Sequence, residues 1–169
     1  MERNKMKLRK LQDKDAPLML EWMHDPDVVK NLSANFAAKT LADCCAFIES
    51  SGCSKSDLHL AIVDDTDQYM GTVSLKHIDQ IRREAEFAIT IRACAMGKGY
   101  SRFGMQEIIR IGLEEMDLLN IYWCVSPENK RAVRFYDKCG YRRIDVSEIG
   151  QVYGYSVDQI KDFFWYTAN

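Results

Sequence analysis

Two different spacings of hydrophobic residues divide the chain into two halves. In the first half, apolar residues alternate with polar ones or form short runs, and clusters of turn-forming residues separate these runs. Such runs are typical of β-strands. They predict strands over residues 5–10, 59–63, 69–78 and 84–91. The last three strands are joined by short polar turns, so we expect them to form an antiparallel meander.

Helical spacing appears between the first two of these strands. A first helix is predicted after Asp13 or Asp15, either of which offers an N-cap, and the Asp-Pro pair within residues 24–27 ends it. A second helix is predicted from Thr40 to Gly52, because apolar side chains recur there every three or four residues.

The second half of the chain alternates between helices and strands. A long amphipathic helix is predicted from the glycines at 97–99 to about Met116, and a shorter one between residues 129 and 140. Strands are predicted at 121–125, 141–146 and 162–167. This order implies a parallel or mixed segment of sheet. The sequence therefore predicts one α/β (α+β) domain over residues 1–169.

Composition and charge restrict the class of partner. Lys and Arg number 23 and Asp and Glu number 25, which gives a net charge of −2 and argues against nucleic acid as a partner. No apolar run approaches the roughly 18 residues of a membrane helix, and no secretory leader precedes the first strand. We expect a cytoplasmic protein without a membrane partner.

The six cysteines do not predict a metal or redox site. They include no C-x-x-C pair, and the two adjacent ones, Cys44 and Cys45, lie on a predicted helix. We interpret the cysteines as small hydrophobic residues in a reducing compartment, and we predict no metal.

A glycine-rich segment lies between a predicted strand and the longest predicted helix. Gly97 and Gly99 allow backbone N–H groups to approach an anion closely, and the helix N-terminus adds positive potential. The spacing fits neither a Walker loop nor a dinucleotide fingerprint, which would need glycine at Arg102. On its own, the segment is also compatible with a tight turn that caps a helix.

A second motif begins where the next strand meets the next helix. Asn129 offers an amide for capping or for a ligand, and Ala132 keeps the helix thin. Tyr136 lies one turn further along the same face, followed by Gly140 and Tyr141. For Tyr136 alone, a buried aromatic residue with a satisfied hydroxyl is the alternative.

In this order and at these strand-to-helix junctions, the two motifs resemble those of the GNAT superfamily of N-acetyltransferases. An R/Q-x-x-G-x-G/A loop binds the pyrophosphate of acetyl-CoA in that family; here Met96 replaces Arg or Gln, and Ser101 replaces the last Gly or Ala. The family pattern N-x-x-A-x-x-x-Y-x-x-x-G-F is matched except for Tyr141. Residues 8–22 and 85–89 look like the branch that contains ribosomal-protein N-terminal acetyltransferases and also enzymes acting on amino sugars, polyamines and antibiotics.

The resemblance implies a fold and a cosubstrate. The fold would be a mixed sheet of about seven strands, with an antiparallel N-terminal half and helices on both faces. The cosubstrate would be acetyl-CoA, bound without a metal. The residues expected to bind it are Ile89, Thr90, Ile91, Met96, Gly97, Lys98, Gly99, Tyr100, Ser101, Asn129, Arg131, Ala132 and Tyr136.

The resemblance also assigns roles at the reacting groups. Tyr136 would protonate the leaving thiolate, and Glu86 would take the proton of the acceptor amine. His77 is an alternative base, and Trp22 and His24 lie in the region that shapes the acceptor pocket of relatives. Other interpretations remain open at this stage: a solvated carboxylate for Glu86, a surface histidine for His77 and a core position for Trp22.

The predicted function is transfer of acetyl from acetyl-CoA to a primary amine, with a protein N-terminus favoured as acceptor. The alternatives are a small-molecule amine (an amino sugar, a polyamine or an antibiotic) and a non-catalytic acyl-CoA-binding module. The protein is expected to be a monomer or a homodimer.

Overall fold

Seven strands form one sheet across residues 5–32 and 34–168, which the computed structural model describes. The strands are β1 (Lys7–Lys10), β2 (Leu58–Val63), β3 (Tyr69–Asp79), β4 (Glu84–Ile91), β5 (Asn120–Val125), β6 (Arg142–Ile144) and β7 (Phe164–Thr167). Their order across the sheet is β1-β2-β3-β4-β5-β7-β6. Among these strands, only β4 and β5 pair in parallel. The predicted mixed sheet and the antiparallel meander are confirmed.

The helices match the predicted ones at most positions. They are α1 (Ala16–Met23), α2 (Pro26–Val29), α3 (Leu41–Ser51), α4 (Tyr100–Arg110), α5 (Lys130–Lys138) and α6 (Val157–Asp162). The short helices α2 and α6 were not predicted. Beyond Arg110, α4 continues as a wider π-helical turn over Ile111–Glu115 rather than as one regular helix to Met116.

The helices cover both faces of the sheet. On β2, the side chain of Ile62 packs in the larger core with α4 and α5, whereas its neighbours Ala61 and Val63 pack with α1 and α3. This alternation is the two-residue period of a strand that is buried on both sides. We call the two sides of the sheet the α4 face and the α1–α3 face. The fold class expected from the sequence is therefore confirmed.

Local signals fixed the ends of α3 more accurately than those of α1. Thr40 accepts a hydrogen bond from the N–H of Asp43, whose carboxylate accepts one from the N–H of Thr40 in return. Asp15 precedes α1 as predicted but does not cap it. Its carboxylate instead accepts two hydrogen bonds from Arg9, at 2.8 and 2.9 Å, and one from the N–H of Gln12.

The parallel strands β4 and β5 are paired over only part of their length. Their described register runs from Glu84 opposite Asn120 to Glu86 opposite Tyr122, and beyond this pair the strands part. From Tyr122 to Val125, β5 pairs along its other edge with β7. The sheet thus has a gap between the second half of β4 and the end of β5.

No helix in the described ranges is long and apolar enough to cross a membrane.

The close approach of β3 to β4 leaves no space for a side chain at Gly71. A Cβ built there would lie 2.6 Å from the Thr90 carbonyl oxygen and 2.7 Å from an Ile91 methyl. We expect Gly71→Ala to lower the free energy of unfolding by about 1–3 kcal/mol, measured by urea denaturation. Gly52→Ala is the control, because Gly52 has helical backbone angles and a Cβ there would meet only the Glu49 carbonyl oxygen, at an ordinary contact distance of 3.5 Å. Equal unfolding midpoints for the two variants would contradict the prediction.

Candidate active site

The segment between β4 and α4 presents a row of free hydrogen-bond donors. No acceptor in the described part of the chain takes a hydrogen bond from the backbone N–H groups of residues 97–102. The last three of these groups form the first turn of α4, where the helix dipole adds positive potential. Free N–H groups in this arrangement suit a diphosphate.

Two glycines and one arginine shape this loop. Gly97 and Gly99 have φ values of 76° and 91°, which side-chain-bearing residues rarely adopt. Arg92 anchors the start of the loop: its guanidinium binds both carboxylate oxygens of Glu21 on α1, at 3.0 and 3.1 Å. The N–H of Arg92 bonds to Met70 of β3. The loop therefore begins from a fixed position at the edge of the gap.

The family pattern expects Arg or Gln at Met96, and a guanidinium reaches this position from another helix. Nη1 of Arg131, in the first turn of α5, lies 3.3 Å from the Met96 sulfur. Lys98 is exposed in the same loop. Two cationic side chains, Arg131 and Lys98, therefore lie at the loop, although Met96 replaces the Arg or Gln of the family pattern. Tyr100 contributes only its N–H group, because its ring is buried in the core.

Asn129 begins α5 beside this loop. Its side-chain oxygen accepts a hydrogen bond from the N–H of Ala132 at 3.3 Å and so caps the helix. The amide nitrogen has no acceptor among the described residues. The side chain of Ala132 packs against the large core. Asn129 therefore caps the helix, and its predicted contact with a ligand stays a prediction.

Tyr136 projects from α5 towards the end of β5. Its ring centre lies 5.4 Å from that of Trp123 and 5.3 Å from that of Tyr166, and 8% of the residue is exposed. Burial raises the pKa of the Tyr136 hydroxyl above its ordinary value, so the phenol stays protonated at neutral pH. No described residue hydrogen-bonds to this hydroxyl. A protonated phenol is thus available beside the gap.

The gap also exposes one edge of β4. Because the N–H of Arg92 points towards β3, strand alternation turns the N–H groups of Ile89 and Ile91 to the opposite edge. That edge faces the gap, since β4 has no described pairing with β5 beyond Glu86. Thr90 alternates with its neighbours and turns its N–H group to β3. Two of the three strand residues expected to bind the cosubstrate therefore offer donors to the gap.

Glu86 lies where the two strands part, on the α1–α3 face. The residue is 2% exposed, and Nζ of Lys76 lies 3.2 Å from its Oε1. The second oxygen, Oε2, has no hydrogen-bond partner in the described ranges. Tyr155 covers this side: burial raises the pKa of its hydroxyl, and the nearby Cys124 and Glu86 raise it further. Glu86 is therefore a buried carboxylate with one unused acceptor, not the solvated strand residue of the alternative interpretation.

Two of the residues predicted to contact the acceptor have structural roles. Trp22 is 5% exposed, and its indole N–H donates to the hydroxyl of Tyr69 at 2.9 Å. Its ring packs edge-on against Phe36. His24 lies at the end of α1 and donates from Nε2 to the carbonyl of Lys39 at 2.8 Å, which fixes the chain that leads to α3. Helix packing uses the apolar ring and the N–H group of Trp22, and its predicted contact with the acceptor stays a prediction.

His77 lies near Glu86 in sequence but belongs to a different hollow. It occupies a bulge in β3, with φ 53°, and its ring lies 4.8 Å from that of Tyr153. This open hollow of about 410 Å³ is lined by Ser56, His77, Ile78, Asp79, Gln80, Ile81 and Tyr153. The bulge separates His77 from the β4 edge, so the structure does not bring it to the reacting groups as an alternative base.

Sequence reasoning missed three residues at this site. Lys76 is the partner of Glu86, Tyr155 covers it, and the indole N–H of Trp123 is buried beside the gap without a described partner. Only the alternation of side chains along β3, which places Lys76 opposite Glu86, could have indicated this partner. No group of three metal-ligating side chains is found within residues 5–32 and 34–168.

A loop of free N–H groups, a split parallel pair and a buried phenol beside the split define an acyl-CoA-dependent transferase. The model of the family described as "Acetyltransferase (GNAT) domain" matches residues 5–142. The chain therefore belongs to the GNAT family and is an acetyl-CoA-dependent N-acetyltransferase.

Three curated relatives illustrate the range of similarity. An uncharacterized N-acetyltransferase p20 of Bacillus licheniformis is 25% identical over 142 residues, which cover 82% of this chain and 80% of the relative. A spermidine N(1)-acetyltransferase of Vibrio cholerae is 35% identical over 81 residues, or 47% of each chain. The spermidine N(1)-acetyltransferase of Escherichia coli K12 is 25% identical over 146 residues, which cover 83% of this chain and 69% of the relative.

Solved structures support the fold. The spermidine N-acetyltransferase of Vibrio cholerae, in complex with CoA and spermine, superposes with a TM-score of 0.77 at 20% identity, over 96% of this chain and 93% of that one. A dodecameric structure of the same enzyme in an intermediate state gives 0.69 at 21% identity, over 96% and 91%. These similarities confirm that the split sheet belongs to a known acetyltransferase architecture.

Proposed function

We propose that the protein transfers acetyl from acetyl-CoA to a primary amine of a polyamine. Three features support the chemistry: the free edge of β4 at the gap, the protonated phenol of Tyr136 on the α4 face and the buried carboxylate of Glu86 on the α1–α3 face. They supply a set of hydrogen-bond donors, a proton donor and a proton acceptor, which are the groups that aminolysis of a thioester needs.

The loop and α5 would hold the cosubstrate. The free N–H groups of residues 97–102 bind its diphosphate, with Arg131 and Lys98 adding positive charge. The amide nitrogen of Asn129 and the N–H groups of Ile89 and Ile91 bind the arm that enters the gap. These donors are unpaired in the described structure, so a bound ligand would satisfy groups that otherwise lack partners. Acetyl-CoA supplies the activated acetyl group.

Backbone and side-chain groups would then stabilise the developing charge and transfer protons. One of the N–H groups of Ile89 and Ile91 stabilises the negative charge that develops on the carbonyl oxygen, while the other holds the arm. Glu86 accepts a proton from the amine, directly or through one water molecule, because its Oε2 is free for a hydrogen bond. Tyr136 donates its proton to the leaving sulfur, since burial keeps the phenol protonated.

Two observations favour a polyamine over the protein N-terminus expected from the sequence. Three of the four curated matches are named spermidine acetyltransferases, whereas the ribosomal-protein branch has no representative among them. The chain also places acidic groups around the hollow that contains His77. Asp79 lines the neighbouring hollow, and Asp57 accepts a hydrogen bond from the N–H of His77 at its rim. A second ammonium group of a polyamine would be attracted to these carboxylates.

An acetyl-transfer panel tests the proposal. Release of the CoA thiol is followed with spermidine, an N-terminal peptide, an amino sugar and no amine. We expect kcat/KM for spermidine to exceed that for each other acceptor by about 100-fold, a difference of roughly 2.7 kcal/mol in transition-state binding. A preference for the peptide or the amino sugar would overturn the polyamine assignment. Thermal stabilisation by acetyl-CoA without any thiol release would instead favour the non-catalytic module.

Assembly and location stay predictions. Light scattering at the assay concentration tests the expected monomer or homodimer. The spermidine N-acetyltransferase of Vibrio cholerae is described as dodecameric. The cytoplasmic location stays an expectation from the sequence.

A further inference from the structure

The site around Glu86 already contains an amine, the side chain of Lys76. Its Nζ lies 3.2 Å from Oε1 of Glu86. The Lys76 side chain is 33% exposed, whereas that of Glu86 is 2% exposed. Lys76 therefore contacts the buried carboxylate through Oε1 and is itself partly open to solvent, so an amine already lies beside the proposed base.

Lys76 lies on the strand next to β4, level with the last residue pair of the parallel strands. It lies opposite Glu86 in the β3–β4 register, and Glu86 is paired with Tyr122 in the last described pair between β4 and β5. The charge of Lys76 acts on Cys124 of β5: burial raises the pKa of that thiol to about 12, and Lys76 opposes the increase. The register therefore places Lys76 one strand away from the point where β4 and β5 part.

We propose that Lys76 is a self-acetylation site of the protein when no amine substrate is present. This inference rests on the proposed function, because it uses the same base and the same proton donor. Nζ of Lys76 forms a C–N bond with the acetyl carbonyl carbon, and the C–S bond of the thioester breaks. The ammonium loses two protons: one passes through Glu86 to solvent, and the other balances the proton that Tyr136 gives to the sulfur. The products are acetyl-Lys76, the free CoA thiol and one proton.

The modification would inhibit the enzyme. An acetylated Lys76 is neutral, so Glu86 would lose its ion pair while an amide occupied the space of the acceptor. A polyamine that competes for Glu86 would protect Lys76. Self-acetylation would therefore be fastest when acetyl-CoA is abundant and the amine is scarce.

Lys14 provides a matched control within the same chain. It is also paired with a carboxylate, that of Asp67, but its side chain is 54% exposed and it lies on the turn before α1. Acetylation driven by solution chemistry alone would favour this more exposed amine. Faster modification of Lys76 therefore requires catalysis by the groups around it.

The test is peptide mapping by mass spectrometry after incubation with acetyl-CoA alone. We expect acetylation of Lys76 to be about tenfold faster than that of Lys14, a difference of roughly 1.4 kcal/mol in activation free energy. Tyr136→Phe and Glu86→Gln should reduce the rate at Lys76 to that at Lys14, and spermidine should slow only Lys76. An unmodified Lys76, a rate no faster than that of Lys14, or a rate that Tyr136→Phe leaves unchanged would overturn the inference.

A turnover assay on the same samples separates the two proposals. Preincubation with acetyl-CoA should lower spermidine turnover of the natural chain several-fold relative to its own starting rate, whereas Lys76→Arg should keep its own starting rate. Spermidine turnover without labelling at Lys76 would overturn this inference and leave the proposed function intact. An absence of both CoA binding and thiol release would overturn the proposed function itself.

Discussion

Replacing Tyr136 with phenylalanine should lower kcat about 10²- to 10³-fold and leave the dissociation constant of CoA within about twofold. The substitution removes a single oxygen from a ring that packs against Trp123 and Tyr166, so the packing is retained. The loss is confined to the step in which the sulfur leaves, because the hydroxyl is the proton donor assigned to that step. Steady-state kinetics with calorimetric CoA binding measure the two effects separately.

Tyr141→Phe is the matched control for this prediction. The Tyr141 ring also packs on Trp123, at 5.0 Å, and its hydroxyl likewise has a pKa raised by burial. It has no assigned role in proton transfer, so kcat should change less than about threefold. Equal losses in the two variants would mean that the aromatic cluster, not the Tyr136 hydroxyl, sustains the activity.

Replacing Glu86 with glutamine should lower kcat/KM at neutral pH about 100-fold. The amide has nearly the same shape but cannot accept the amine proton, so the variant must use the small fraction of amine that is already unprotonated. That fraction rises as pH approaches the amine pKa of about 10, and the deficit should therefore shrink with increasing pH. A pH profile of kcat/KM from neutral to alkaline conditions measures this trend.

Glu84→Gln tests whether any buried carboxylate of β4 would behave in the same way. Glu84 lies two residues earlier on the same strand and is also buried, but its partner on β5 is Asn120, which lies away from the opening of the gap. We expect kcat/KM to change less than about threefold and to depend on pH as in the natural chain. A parallel loss in Glu84→Gln would remove the assignment of Glu86 as the base.

The loop and α5 could be predicted because their chemistry is local. Gly97 and Gly99 permit the left-handed backbone that frees the loop N–H groups, and Asn129 caps the helix that carries Tyr136. Both signals depend on residues a few positions apart. The start of the helix after Thr40 was predicted from equally local spacing.

The acceptor side could not be predicted in the same way. The contacts of Glu86 come from β3 and from the chain around Tyr155, which are close only after the sheet forms. Trp22 shows the same limit, because an aromatic residue in the region expected to form a pocket has its indole bonded to Tyr69 in the core. Pattern alone does not distinguish a packed ring from one that contacts a ligand.

The sequence by itself determined the order of elements, the glycine loop and the family, since each depends on backbone preferences and spacing within short segments. The tertiary structure alone decided that β7 lies between β5 and β6, that β4 and β5 part after Glu86, and that Lys76 pairs with the carboxylate of Glu86. These features depend on pairing between segments distant along the chain. Hydrophobic periodicity reports which residues are buried but not which distant partner buries them.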